Sequence, residues 1–202
     1  MHFKGGVFLE EQKAKNNNKK EFFEWLDVIV TSVLAVVLIF TFLFRIVSID
    51  GDSMKNTLLN KERVVISNLF YTPKNGDIVV ISRNTDNSLT AAGNKAPIIK
   101  RVIAVEGQTV DIKDGYVFVD GEKLHEPYTK DFEFDPASTT DLYDVTFPLT
   151  VEPDCIFVLG DNRHESLDSR SSVIGQSGQV NVKYVLGKAI FRIFPFNKLG
   201  GI

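Results

Sequence analysis

Three features of the chain predict a mainly β fold: an antiparallel sheet domain with a barrel-like core, preceded by one N-terminal transmembrane helix. A single uncharged apolar run of membrane length lies near the N-terminus. Beyond it, short runs rich in Val, Ile, Tyr and Phe are separated by Gly-, Asp- and Asn-containing turns at intervals of roughly ten residues. No long amphipathic helical pattern follows residue 50.

The apolar run extends from Val28 to Phe44, 17 residues without a charge, with only Thr31, Ser32 and Thr41 polar. Ile46 and Val47 prolong it past Arg45, which predicts a spanning helix over 25–47. Phe22, Phe23 and Trp25 stand where an interfacial aromatic belt would lie, and Arg45 is placed to snorkel from the far end. A buried core helix would carry a polar stripe, which is missing here. A cleavable leader would need a shorter preceding region and a small-x-small site, and Val47-Ser48-Ile49 does not supply one. Residues 1–24 read as a tail, its Lys13–Lys20 stretch solvated and flexible. Four cations precede the run (Lys13, Lys15, Lys19, Lys20) and four follow it (Arg45, Lys55, Lys61, Arg63), so charge alone does not orient it.

Residues 48–202 form the β domain. Strands are predicted at Arg63–Ser67, Asp77–Ser82, Ile98–Val105, Thr109–Lys113, Tyr116–Val119, Cys155–Leu159 and Tyr184–Ile193. Asp114-Gly115 between the fourth and fifth is a two-residue hairpin signal. Polar stretches at about 84–97 and 128–153 read as insertion loops. At 202 residues and a net charge of −3, the chain offers no electrostatic case for binding nucleic acid. Its one cysteine, Cys155, excludes an internal disulfide and reads as a small packed residue at a strand start. No Cys or His spacing calls for a metal, and no cofactor is implied.

The chemistry concentrates in three segments. Ser53 lies in Ile49-Asp50-Gly51-Asp52-Ser53-Met54, shortly after the apolar run. A serine hydroxyl needs a base to become a nucleophile. His2, His125 and His164 have no evident pairing, which leaves Lys100, set among Ile98, Ile99, Val102 and Ile103. Burial in such surroundings can lower a lysine pKa by up to about 3–5 units. On these residues alone, Ser53 also reads as a turn serine and Lys100 as a strand lysine facing solvent. The third segment, Gly160 to Arg170, packs Asp161, Arg163, Glu165, Asp168 and Arg170 around Ser166 and Ser169. It reads either as a solvated charged loop or as one fixed by pairing Asp168 with Arg170 or Arg163.

Together these segments resemble the type I signal peptidases, of the small single-span kind found in Gram-positive bacteria. Gly51-Asp52-Ser53-Met54-Lys55-Asn56-Thr57-Leu58, Asn75-Gly76-Asp77-Ile78-Val79-Val80, Lys100-Arg101-Val102-Ile103-Ala104-Val105-Glu106-Gly107 and Gly160-Asp161-Asn162-Arg163 through Arg170 are similar to the family's four boxes, in order. The resemblance implies a Ser/Lys dyad of Ser53 and Lys100, with Ser166 orienting the lysine and Asp168 and Arg170 as a supporting ion pair. It implies an oxyanion held by the Ser53 backbone N–H, and a substrate strand touching Gly51, Asp52, Met54, Ile98 and Ile99, with Ile46 to Asp52 as a further wall. Its expected partners are signal peptides of secreted preproteins cut after small residues at −3 and −1, the lipid bilayer and the secretion translocon. Its expected place is the bacterial cell membrane, with the N-terminus cytoplasmic and the β domain on the outer face. Asn56 departs from the proline usual there, which implies a less rigid turn. Gly51 lacks the hydroxyl that some relatives add to the oxyanion hole, so a serine introduced there is expected to supply one. Two rivals stand: another Ser/Lys processing protease, and an inactive pilus-assembly relative, which would have lost the serine or the lysine.

Overall fold

The computed structural model describes residues 4–82, 96–129, 143–175 and 177–202, with side chains left aside at 4–19, 39 and 42. Residues 84–95 of the first predicted insertion loop and 130–142 of the second lie outside the described residues. The chain divides into two units, residues 1–43 and 44–202.

The first unit is one helix, α1, Lys4–Leu43. It differs from expectation at both ends. The stretch read as a flexible tail is helical, in keeping with the good intrinsic propensity of its Lys, Glu, Gln and Ala content. Phe44–Val47, read as the end of a spanning helix, belong instead to strand β1, Phe44–Ser48. That strand pairs residue for residue with β2, Arg63–Ser67, from Phe44 opposite Ser67 to Ser48 opposite Arg63. The sheet thus recruits the β-branched Ile46 and Val47, and the helix stops short. From Val28 to Leu43 it covers about 24 Å at about 1.5 Å per residue, against a hydrocarbon core of about 30 Å. Among the described residues, no helix is long and apolar enough to cross a membrane.

The second unit is all antiparallel. Its remaining strands are β3 (Ile78–Ile81), β4 (Ile98–Val105), β5 (Thr109–Lys113), β6 (Tyr116–Val119), β7 (Glu122–Lys123), β8 (Leu149–Thr150), β9 (Cys155–Leu159), β10 (Val180–Asn181), β11 (Val185–Phe194) and β12 (Gly200–Gly201). The main sheet runs β1-β2-β11-β3-β4-β9-β10, with β12 added to β11; a smaller one runs β7-β6-β5-β8. Described ladders leave β1 and β10 as edges, so the barrel-like core is an open sheet rather than a closed cylinder. Asp114 and Gly115 both adopt positive φ and join Lys113 to its partner Tyr116, the two-residue hairpin expected there. The long β11 shifts register three times against its neighbours. At the first shift, Gly187 has φ +154°, and a Cβ there would lie 2.8 Å from the Ser67 carbonyl oxygen.

Alternation along β3 sends Ile78 and Val80 to one core and Val79 and Ile81 to another, so this central strand is buried on both faces. The first core also takes Met54, Leu58, Val64, Ile66 and Ile99; the second takes Val102, Ile156, Val158 and Ile174. A third core packs the small sheet's Val110 and Val117 against Ile103, Phe157 and Leu159. Met54 and Leu58 come from the connection between β1 and β2, and their burial ties that connection to the sheet. Leu58→Ala is expected to lower unfolding stability by about 2–5 kcal/mol in urea titration, the range for opening a cavity at a fully buried leucine. A cost under about 1 kcal/mol would show that the connection is not anchored in this way.

Candidate active site

Ser53 lies on the β1–β2 connection, where the chain turns tightly: Lys55 N–H donates to the Asp52 carbonyl, and Thr57 and Leu58 N–H to that of Met54. Met54, wholly buried, is the plug that seats this turn. Lys100 lies in the middle of β4, opposite Val79 of β3. Its side chain is 3 % exposed, and its Nζ is 2.7 Å from Ser53 Oγ. That distance is within reach for passing a proton between hydroxyl and amine. The Ser53 N–H has no hydrogen-bond partner among the described residues.

The Gly160–Arg170 segment leaves the end of β9 and closes over the turn that carries Ser53. Asn162 N–H donates to the Ser53 carbonyl at 2.9 Å, and its side-chain amide to that of Asp52 at 3.1 Å. Asn56 donates from Nδ2 to the Asp161 carbonyl at 3.1 Å, so the residue standing where a proline was expected ties the turn by a hydrogen bond instead. The Asp161 carboxylate accepts from the Thr57 hydroxyl and from Arg101 Nε and Nη2 at 2.8 and 2.7 Å. Asp161 therefore links the turn bearing Ser53 to the residue beside Lys100. Gly160 is required by close approach: a Cβ there would lie 2.5 Å from the Ser53 carbonyl oxygen and 2.2 Å from Ser166 Oγ.

The pairing left open in the sequence is Asp168 with Arg170. Arg170 Nε and Nη2 donate to the two carboxylate oxygens at 2.8 and 2.9 Å, both side chains are buried, and Gly160 N–H adds a bond at 3.1 Å. Arg170 also donates to the carbonyls of Arg163 and Ser166. Arg163 takes a different partner, Glu126. Burial by itself would raise the Asp168 carboxyl; the Arg170 charge and its hydrogen bonds outweigh that and hold it below the usual carboxylate range. The Arg170 guanidinium is held above its ordinary value by the same carboxylate, against its own desolvation. Among the described residues the buried Ser166 hydroxyl, which lies near the Asp168 carboxylate, makes no hydrogen bond of full geometry, whereas the Ser166 carbonyl accepts from Tyr143 at 3.0 Å. Ser169 holds the segment to β9, its hydroxyl accepting from Val158 N–H at 2.9 Å.

Of the other expected positions, Gly51 and Asp52 are exposed beside Ser53, Ile98 is half-buried, and Ile99 is packed with Met54 in the first core. Ile46 is exposed on β1, while Ile49 is buried. Gly51 has φ +100° with open space around it, so an added serine hydroxyl would fit but would carry left-handed backbone strain. This weighs against the gain expected of that substitution. Cys155 is half-buried, its thiol pushed above the usual value, first by burial. The sequence reading missed Arg101, Asp161, Asn162, Tyr143 and Glu126 as site-building residues. Arg101 and Asp161 stood inside quoted boxes, but pairing across 60 positions is set by topology.

An open antiparallel sheet presenting a serine against a buried lysine amine defines a class, the serine endopeptidases. The family described as "Signal peptidase, peptidase S26" matches residues 22–194, and the chain belongs to it. It is 32% identical over 198 residues to a signal peptidase I of Bacillus amyloliquefaciens, covering 95% of this chain and 98% of that one. It is 34% identical over 198 residues to signal peptidase I S of Bacillus subtilis strain 168, covering 93% and 97%. The crystal structure of a signal peptidase I from Enterococcus faecalis V583 superposes with a TM-score of 0.42 at 26% identity, covering 58% of this chain and 97% of that one.

Because the folded-state carboxyl of Asp168 is depressed, its stabilising contribution is fully present above the unfolded value of about 3.9 and is lost as pH falls below it. Asp168→Asn removes the carboxylate charge opposite the buried Arg170 and is expected to cost about 3–5 kcal/mol at pH 7. Thermal melts from pH 7 to pH 3 should show the difference from wild type shrinking toward the acid end. A difference independent of pH would contradict the ionised pair.

Proposed function

We propose that the chain is a membrane-anchored endopeptidase that cleaves signal peptides from secreted preproteins with a Ser53–Lys100 dyad. The observation that carries the reading is the 2.7 Å contact between a buried lysine amine and a serine hydroxyl. An uncharged amine is the base such chemistry needs, and apolar burial favours that form. Ser53 Oγ attacks the scissile carbonyl as its proton passes to Lys100 Nζ. The Ser53 N–H, which has no other partner among the described residues, holds the oxyanion. The ammonium then protonates the departing amine, leaving an acyl ester on Ser53. Lys100, neutral again, takes a proton from water as its oxygen attacks the ester, and the resulting ammonium returns that proton to the departing Ser53 oxygen, freeing the acid and restoring both groups. The Ser166 hydroxyl, which makes no hydrogen bond of full geometry among the described residues, orients the lysine once it turns toward the amine, and the Asp168–Arg170 pair keeps the segment in place. The substrate lies extended beside the accessible Gly51, Asp52 and Ile98, its small residues at −3 and −1 facing that edge, while Met54 and Ile99, both buried, support it from within the core.

Membrane attachment is supported by α1, whose apolar side chains from Val28 to Leu38 are largely exposed and need a non-aqueous cover. In this reading the N-terminus is cytoplasmic, the β domain lies on the outer face, and precursors arrive from the secretion translocon. The retained serine and lysine favour this over an inactive pilus-assembly relative, and similarity to signal peptidases I over nearly the whole chain favours it over another Ser/Lys processing protease.

Ser53→Ala and Lys100→Ala should each abolish cleavage of a labelled preprotein while leaving the fold intact. The double variant should be little worse than either, since residues acting as a unit are not additive. Lys100→Arg should also be inactive, because a guanidinium keeps its proton. Substantial cleavage by folded Ser53→Ala would falsify the dyad. For topology, protease added outside intact protoplasts should digest residues 48–202 and spare the N-terminal segment; protection of the β domain would reverse the orientation.

A further inference from the structure

A second group of contacts, away from the dyad, reaches the same two elements. β4 carries Lys100 and, beside it, Arg101; the segment after β9 carries Gly160, Asp161 and Arg163. The short stretch following β7 touches both. The Glu126 carboxylate accepts from both terminal nitrogens of Arg163, Nη1 at 3.0 Å, and the Arg163 side chain is only 1% exposed. Arg163 Nε meanwhile donates to the Gly160 carbonyl at 3.2 Å. Tyr128 donates its hydroxyl to Glu126 at 2.9 Å, and its ring lies against the Arg101 guanidinium, with Cζ 3.9 Å from the ring centroid. Arg101 grips Asp161 with two parallel bonds. The contacts form a closed ring: Glu126, Tyr128, Arg101, Asp161 and, back along the chain, Arg163.

We propose that Glu126 and Tyr128 are positioning residues for the cleavage reaction, bracing the strand that carries Lys100 to the segment that seats Ser53. The inference rests on the dyad reading above. A guanidinium alone can swing about a long flexible stem; an aromatic face beneath it fixes its plane and aims its fork at one carboxylate. Here that carboxylate belongs to Asp161, whose backbone and side chain take the Asn56 and Thr57 bonds of the nucleophile turn. Glu126 orders the other end by placing a carboxylate against both terminal nitrogens of the buried Arg163. The Tyr128 hydroxyl stays protonated and able to donate at any working pH, since burial and the Glu126 charge raise its ionisation well above the ordinary value. Displacing reacting groups by about 1 Å can cost about 10²-fold in rate, so a brace of this kind acts on kcat.

The test measures kcat and KM separately on one signal-peptide substrate, using the full chain in lipid vesicles at a temperature well below every variant's Tm. Tyr128→Leu removes ring and hydroxyl and is expected to lower kcat about 10- to 100-fold, with KM within about twofold of wild type. Tyr128→Phe keeps the ring over Arg101 and should retain kcat within about threefold. Glu126→Gln is expected to lower kcat, and combined with Tyr128→Leu to add little further loss, because the two act as one unit. The proposal is overturned if Tyr128→Leu keeps wild-type kcat, if the loss appears in KM alone, if Tyr128→Phe is as damaged as Tyr128→Leu, or if lost activity only tracks the unfolded fraction. A wild-type chain that cleaves no signal peptide would instead overturn the parent reading of the dyad, and this one with it.

Discussion

The Ser53 hydroxyl and the Lys100 amine meet inside the protein, and the rest of the domain is arranged around the difficulty of keeping them there. A lysine buried in mid-strand is costly unless its surroundings favour the neutral form or satisfy the charged one. The serine comes from a connection with no regular structure of its own, which nothing local would hold at 2.7 Å. Three anchors do so. Met54 and Leu58 are driven into the first core, Asn162 holds the backbone on either side of the Ser53 side chain, and Asp161 joins the turn to Arg101. The first anchor is hydrophobic and non-directional; the other two supply the direction.

The concentration of buried charge in one segment follows from the same constraint. Asp161, Arg163, Asp168 and Arg170 are all buried, each with an opposite charge against it. Well-packed apolar residues would often give equal or greater stability than such pairs. What the pairs add is geometry: bidentate contacts fix orientation as well as distance. Gly160 fits the same pattern, since any side chain there would collide with Ser53 and Ser166.

The strands were legible where pattern and turn chemistry agreed. Arg63–Ser67, Ile98–Val105, Thr109–Lys113, Tyr116–Val119 and Cys155–Leu159 lie where alternation and β-branching placed them. The Asp114-Gly115 hairpin was readable because only a few residue types accept two successive positive φ angles. β1 was not legible: Phe44–Val47 continue an apolar run interrupted only by Arg45, and only the partner β2 decides between strand and helix. The two-residue strands β7, β8, β10 and β12 are too short to show a period. At the site, Ser53, Lys100, Asp168 and Arg170 were found through short local boxes. Glu126, Tyr128 and Tyr143 were not, because a residue's value as a brace depends on what the fold brings to it across 20 or more positions.

The account's central claim is that Ser53 Oγ becomes the covalent nucleophile. It is tested most directly by mixing the full-length protein with a signal-peptide substrate, quenching in acid within a turnover, and locating any adduct by peptide mass spectrometry. The predicted result is the signal-peptide fragment esterified to the peptide containing Ser53, at that residue, and absent when substrate is omitted. Efficient cleavage with no covalent adduct at any quench time, or with the acyl group on another side chain, would contradict it.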